Sequence, residues 1–233
     1  MLVSTPFDAL SPIGDGSAGF RADPSGTRLA CQRAMFYGLM TSAIPMPQGT
    51  GVVHQSAVVT QSRYALGDHI SGHRAHIGPA ANGLVGVSAE RSLGDFVHVG
   101  VQTDAYWAVL VGGGRITPRL TLGTPMANLT LGGTGVVMAS PYADGPLFEV
   151  TPFVAASVEL GEGLDLHGGR WSIVGESHVV PLDGNPYLTS VVMGRWQREH
   201  LGVDAGVATL WPLGDDEIIP LPWMGLSYDW SNV

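Results

Sequence analysis

Three histidines fall close together in "HISGHRAHIG": His69, His73 and His76. Imidazoles at this density are the raw material of a zinc or copper site. In an extended chain His69 and His73 share a face, yet they sit about 13 Å apart at ~3.3 Å per residue, and His76 points the other way. One ion needs all of its ligands at about 2 Å, so the spacing predicts polar wall or loop side chains and no metal. A second cluster, "GESH", offers Glu176, Ser177 and His178 as acid, nucleophile and base. A nucleophile must lie within hydrogen-bond reach of its base, and neighbours on a strand face opposite sides. Ser177 would therefore need another histidine, such as His98 or His200. The expectation is no catalytic residue and no cofactor. "GGRW" and "GDGSAG" read as glycine turns, because neither opens a helix after a strand as a phosphate loop must. Asn128-Leu129-Thr130 matches a glycosylation pattern that carries no information here.

A third group is ionic or amide: Arg119, Glu149, Arg195, Gln197 and Asp204. All lie in alternating segments and could turn to an interior. Charges withdrawn from water survive by pairing, so these residues are expected to line a lumen and to pair across it rather than to form a selectivity filter.

The elements that must carry them are strands. In "DFVHVGVQTDAYWAVL", Val97, Val99, Val101, Thr103, Ala105, Trp107 and Val109 share one face, and His98, Gly100, Gln102 and Asp104 the other. "ITPRLTLG", "LFEVTPFVAASVEL", "RWSIVGESHVV" and "EIIPLPWMGLSYDW" alternate in the same way, with Leu147 and Phe153 as exceptions. Turn-forming residues punctuate them: "SLGD" at 92–95, "GGG" at 112–114, "GGT" at 132–134, "LDGNP" at 182–186 and "LGDDE" at 213–217. Alternating runs joined by Gly, Asp and Asn read as hairpins. The count is ten to twelve strands in sequential order, many of nine to thirteen residues. Soluble strands average about five or six residues, whereas a tilted strand needs about nine to eleven to cross a hydrocarbon layer. No segment has a helical period, and no βαβ pattern suggests a parallel sheet.

Composition agrees. Of 233 residues, 33 are Gly and 16 Pro, the two poorest helix formers, and only 13% are charged. The net charge is −9 and every cation is Arg, which gives no electrostatic footprint for nucleic acid. A single cysteine, Cys31, excludes an intrachain disulfide and a cysteine-based metal site. No run of 18 apolar residues exists, and "MLVSTPFDALSPIGDGSAGF" lacks the basic start and apolar run of a signal peptide. Residues 1–33 have no periodicity and are expected to form an arm or plug; 34–233 are expected to form the barrel domain.

The stretch "LGVDAGVATLWP" decides which face is wet. Val203, Val207 and Trp211 lie on one face; Gly202, Asp204 and Gly206 lie on the other. A soluble exterior should carry charges on about a quarter or more of its residues. Small residues with rare charges suit a crowded lumen, which puts the apolar face outside against lipid. Tyr106, Trp107, Trp171, Tyr187, Trp211, Trp223, Tyr228 and Trp230 lie toward strand ends. Trp107, Trp171, Trp211, Trp223, Tyr228 and Trp230 are expected as interfacial aromatics, ring in lipid and polar atom toward head groups.

"FYGLMTSAIPMPQGTGVVHQSAVVTQSRYALGDHISG" carries a small-residue SA segment, a G-x-G turn, an aliphatic strand and then Tyr64, Leu66 and Asp68. With the closing "PLPWMGLSYDW", it resembles outer-membrane β-barrel proteins of Gram-negative bacteria of the Bacteroidetes and myxobacterial type. The resemblance spans about residues 35–230 and implies fold and location without an activity. Two features depart from it: the absence of a signal peptide, and an end beyond Trp230 on Ser231, Asn232 and Val233 rather than on an aromatic. The expectation is an all-β, closed antiparallel up-and-down transmembrane β-barrel in the outer membrane, with membrane lipid as partner. Its role would be non-enzymatic: structural, adhesive or a narrow passive pore, porin-like in form. The alternatives are a barrel enzyme that modifies envelope lipid and a soluble barrel or lectin-like binding domain.

Overall fold

The computed structural model describes residues 40–56, 59–77, 82–108, 111–139, 141, 145–160, 169–182, 185–198, 200–214 and 217–231. The expected arm or plug at 1–33 lies outside them. Twelve strands make the fold: β1 (Thr50–Ser56), β2 (Val59–Gly67), β3 (Ile70–Ile77), β4 (Asn82–Ser92), β5 (Val97–Ala108), β6 (Val111–Thr124), β7 (Ala127–Ala139), β8 (Leu147–Glu159), β9 (Arg170–Leu182), β10 (Asn185–Arg198), β11 (Leu201–Pro212) and β12 (Ile219–Ser231). Each pairs antiparallel with its sequence neighbours, and β12 pairs with β1 to close the barrel. Closure removes the sheet edge that an open meander would expose. We call the end where β1 starts and β12 ends the near rim, and the other the far rim.

The strands tilt. A row of facing residues runs Trp171, Trp196, Val203, Leu226, Gln55, Thr60, His76 through β9, β10, β11, β12, β1, β2 and β3. Gly83 of β4, beside His76, then pairs with Trp107 of β5. The row starts beside the near rim in β9 and finishes beside the far rim in β5. Eight steps of ~4.8 Å at a tilt of about 40° separate Trp171 from Trp107 by about 25 Å along the barrel axis.

Side chains alternate across the wall, and the inside is the polar side. Leu201, Val203, Val207 and Trp211 are exposed on the outer face, while Gly202 and Asp204 are buried inside. The same parity holds in β5, where Val101, Thr103, Ala105 and Trp107 face out and His98, Gln102 and Asp104 face in. Polar and charged residues outnumber apolar ones among the buried side chains.

Two glycine clusters expected as turns lie inside strands instead. Gly112–Gly114 belong to β6, and Gly132 and Gly133 to β7. Aromatic rings explain one glycine in each. A Cβ at Gly113 would meet the Tyr106 ring, and one at Gly132 would come within 2.4 Å of Phe153. On the outer face Trp107 lies against Gly83, Trp230 against Gly51 and Trp196 against Gly169. Rings over cross-strand glycines cover backbone that a bare glycine leaves open.

β1, β2 and β3 have only 7 to 9 residues. Pairing of β1 with β12 stops at Ser56 and Gly225, so among the described residues Ile219–Met224 have no partner on that side. In β12 the Asp229 N–H bonds to the His200 carbonyl on the β11 side. Even-numbered residues therefore point their N–H toward β1, and on that edge Pro220 and Pro222 have none. Proline is confined to such edges because it cannot donate to a ladder.

Candidate functional site

The lumen gathers the charged chemistry. Arg63 from β2 and Arg119 from β6 both reach Glu90 Oε1 from β4, each at 2.6 Å. Arg119 also donates to Gln102 Oε1 at 2.6 Å, and Gln102 Nε2 donates to Asp104 Oδ2 at 3.0 Å. Asp104 pairs further with Arg115 and with His73. One connected network thus crosses β2 to β6. Across the lumen, Arg195 makes a two-pronged pair with Asp204, Nε to Oδ1 at 2.7 Å and Nη2 to Oδ2 at 2.8 Å, with His54 Nδ1 at 3.7 Å from Oδ2. Glu176 pairs with His178. Thr117 faces Thr134, and Thr121 faces Thr130, in hydroxyl pairs at 3.1 and 2.7 Å. Pairs of this kind offset the desolvation of their members.

A non-strand segment fills the rest. Residues 40–49 precede β1, and 40–47 lie buried or half-buried inside the barrel. At the near rim Thr50 N–H bonds to the Pro47 carbonyl at 3.2 Å, and Met46 packs with Val52 and Ala65. Ala43 N–H donates to Thr121 Oγ1 at 2.8 Å, three residues from the near-rim end of β6. Met40 N–H donates to Glu176 Oε2 at 3.2 Å, midway along β9. Met40 packs with Phe153, Ala155, Val174, Val191, Met193 and Trp223, the apolar wall of the lumen. Beyond it a cavity of about 370 Å³ continues, lined by Met40, Thr41, Arg63, His73, Arg115, Thr134, Thr151, His178, Val180 and Thr189.

Of the residues expected in the lumen, Arg119, Arg195, Gln197 and Asp204 are buried inside, none more than 6% exposed. Glu149 shares the inward parity of β8 but is half-buried near the far rim, outside the networks. Among the aromatics, Trp107, Trp211 and Tyr228 are exposed on the outer face, and Trp171 and Trp230 are half-buried there. Trp223 is a correction: it is 5% exposed and points inward with Gly225, Ser227 and Asp229. Its odd parity, rather than its place toward a strand end, decides its face.

The histidines separate. His69 sits exposed in the β2–β3 turn, His73 joins Asp104 inside, and His76 faces out beside Trp107 at a ring distance of 6.4 Å. Among the described residues no group of His, Cys, Asp and Glu is arranged to hold a metal ion. The "GESH" residues divide across the wall. Ser177 faces out and shares a hydrogen bond with Ser190 at 2.8 Å, while Glu176 and His178 face in. His98 bonds to Ser92 and to the Gly123 carbonyl, and His200 to Asp229, so neither serves Ser177.

Sequence reasoning missed Arg63, Glu90 and Glu176 as members of the lumen networks. Glu176 was on the correct face of an alternating strand and could have been found by parity. Arg63 could not, because "VTQSRYALG" mixes polar and apolar residues on both faces. That mixture leaves a mark outside: Gln55, Thr60, Ser62, Arg74 and His76 form a polar patch on the outer face of β1–β3. They bond largely among themselves, Arg74 Nε to His76 Nε2 at 3.0 Å and Thr60 Oγ1 to Gln55 Oε1 at 2.5 Å.

Compared with known proteins, the chain matches no family model and no curated sequence.

Proposed function

We propose that this protein is an outer-membrane β-barrel of a Gram-negative bacterium, without enzymatic activity, whose closed lumen makes it a structural or adhesive anchor rather than a pore. The observation that carries this reading is the inverted wall. Val, Leu, Ile and Trp side chains stand exposed around the outside, while Arg, Glu and Asp are buried and paired within. A soluble barrel would hide the first set and expose the second. A lipid-facing wall needs an apolar band about 25 Å tall with aromatic girdles. The spacing of about 25 Å between Trp171 and Trp107 fits that band. Leu, Val and Met side chains fill the outer face between the two Trp levels on β11 and β12. The polar patch on β1–β3 is the part of this face least suited to hydrocarbon.

The lumen favours the anchor over the pore, since residues 40–47 and the Arg63–Glu90–Arg119 network occupy its cross-section. An envelope acyl-transfer enzyme built on Ser177 is disfavoured, because the hydroxyl and the Glu176–His178 pair lie on opposite sides of the wall.

The test is fractionation of the native protein together with gel migration before and after boiling. Sedimentation with the outer membrane and a heat-dependent change in migration are expected. A folded protein that stays in the soluble fraction overturns the reading.

A further inference from the structure

We propose that the far half of the lumen is a binding site for one small organic carboxylate, with its head on Arg63 and its apolar body toward the far rim. This goes beyond the anchor reading and does not depend on what surrounds the barrel.

The site is the cavity of about 370 Å³ beyond Met40. Small-molecule sites occupy roughly 300–1,000 Å³. The described residues that line the cavity include Arg63, His73, Arg115 and His178, and neither an Asp nor a Glu. The network beneath it has the same imbalance. Arg63, Arg115 and Arg119 bring three guanidinium groups to two carboxylates, Glu90 and Asp104. At least one positive charge in that network therefore has no counter-charge of its own, where withdrawn charges survive by pairing.

The excess is localised on Arg63, whose side chain is 1% exposed. Its Nη2 stands 2.6 Å from Glu90 Oε1, but Arg119 Nη2 reaches that same oxygen, also at 2.6 Å. Arg63 Nε and Nη1 have no hydrogen-bond partner among the described residues. A buried charged donor without a partner is costly and calls for one. A carboxylate supplies it, because its two oxygens match the fork of a guanidinium. A monoanion also balances three cations against two anions. A phosphate monoester carries nearly twice that charge and overshoots.

His73 is the cross-strand neighbour of Arg63 and lines the same cavity. Asp104 holds its Nε2, and its buried Nδ1 has no hydrogen-bond partner among the described residues. Gly86 of β4 pairs with both His73 and Asp104, and a Cβ there would come within 2.4 Å of Asp104 Oδ1. The bare glycine lets His73 reach across β4 to Asp104, which fixes the ring beside Arg63. Toward the far rim the wall loses its charge. Val59, Ala75 and Leu84 of β2, β3 and β4 form one side, and Val180 of β9 faces them across the lumen. A short alkyl or aryl body fits between these walls, and a bare inorganic anion leaves them unused.

The test is titration calorimetry on the folded chain at pH 8. Hexanoate is the probe, and acetate, hexyl phosphate, hexan-1-ol and hexylamine are the comparisons. One saturable site is expected for hexanoate. Acetate and hexyl phosphate are expected to bind at least about tenfold more weakly, and hexan-1-ol and hexylamine not to saturate. Arg63→Gln is expected to weaken hexanoate at least about tenfold, the worth of a hydrogen bond to a charged group. That change also touches the Glu90 pair. Thr151→Trp combined with Thr189→Trp therefore serves as a second variant, which crowds the cavity from β8 and β10 and leaves the ion network in place. It is expected to abolish binding, with circular dichroism reporting that the barrel is folded. Should Arg63→Gln not fold, this variant and the probe series decide. The proposal is overturned by a failure of hexanoate to saturate, by equal affinity for hexan-1-ol, by tighter binding of hexyl phosphate, or by a folded variant of either kind that binds as the native chain does.

Discussion

Asp204 and Arg195 face each other across β10 and β11, both nearly absent from solvent, through two hydrogen bonds. Removing one member of such a pair leaves a buried charge without its partner, which costs about 3–5 kcal/mol, whereas replacing both by apolar residues of similar volume is often near neutral. Asp204→Ala should therefore lower the urea midpoint strongly, and Arg195→Met with Asp204→Leu should recover most of the loss. Urea titration of the three variants checks this; a double variant as unstable as the single one would mean that the pair does more than satisfy itself. Both residues were legible in the sequence, because "GRWQREHLGVDAGV" alternates and each charge falls on its minor face. At Trp223 parity, and not nearness to a strand end, decides the side the ring takes. Arg63 and Glu90 were not legible, since the pairing that joins them needs β2, β4 and β6 brought round one curve.

At the scale of the strand, the hairpin order could be read from turn residues, but glycine misled. Gly112–Gly114 and Gly132–Gly133 look like turns in one dimension. In β6 and β7 glycines make room for the Tyr106 and Phe153 rings that cross them. That need comes from a neighbouring strand, so no local pattern announces it. Residues 40–47 were also illegible as a lumen segment, because a chain held by Thr121 and Glu176 has no period of its own. The prolines of β12 report on its neighbour. Pro220 and Pro222 sit where β1 has already ended, on the edge that has no ladder to join. Pro222→Ala should change stability by only a few tenths of a kcal/mol, within the usual range of surface changes. Leu221 has the opposite parity and pairs with Ala208 of β11. Leu221→Pro removes a donor from an intact ladder and should cost more, about 1–3 kcal/mol for the carbonyl left without its partner. Equal effects of the two substitutions in a denaturant titration would refute the assigned edge.

For the whole molecule, closure and tilt follow from strand number and register together, and the sequence supplies only the first. Ten to twelve alternating segments in hairpin order suggest a barrel, and the pairing fixes the number at twelve. The seam between β1 and β12 and the stagger from Trp171 to Trp107 appear only once the pairings are known. Those pairings make the environment of the outer face testable at one residue. Val207 is 47% exposed, and it pairs with Val192 of β10 and Pro222 of β12 on the outer face, between the two aromatic levels. In water, a charge at an exposed strand position changes stability by no more than about 0.5 kcal/mol. Near the midplane of a bilayer, Arg on the lipid face of a barrel costs about 2–4 kcal/mol. Val207→Arg should therefore be destabilised by that larger amount when the barrel is unfolded by urea from phospholipid vesicles. Thr209→Arg lies two residues nearer the far rim on the same face and should lose less, because the penalty falls toward the interface. A flat response along β11 would show that hydrocarbon does not surround this wall, since only a medium that changes with depth penalises an arginine more at the exposed Val207 than at the half-buried Thr209.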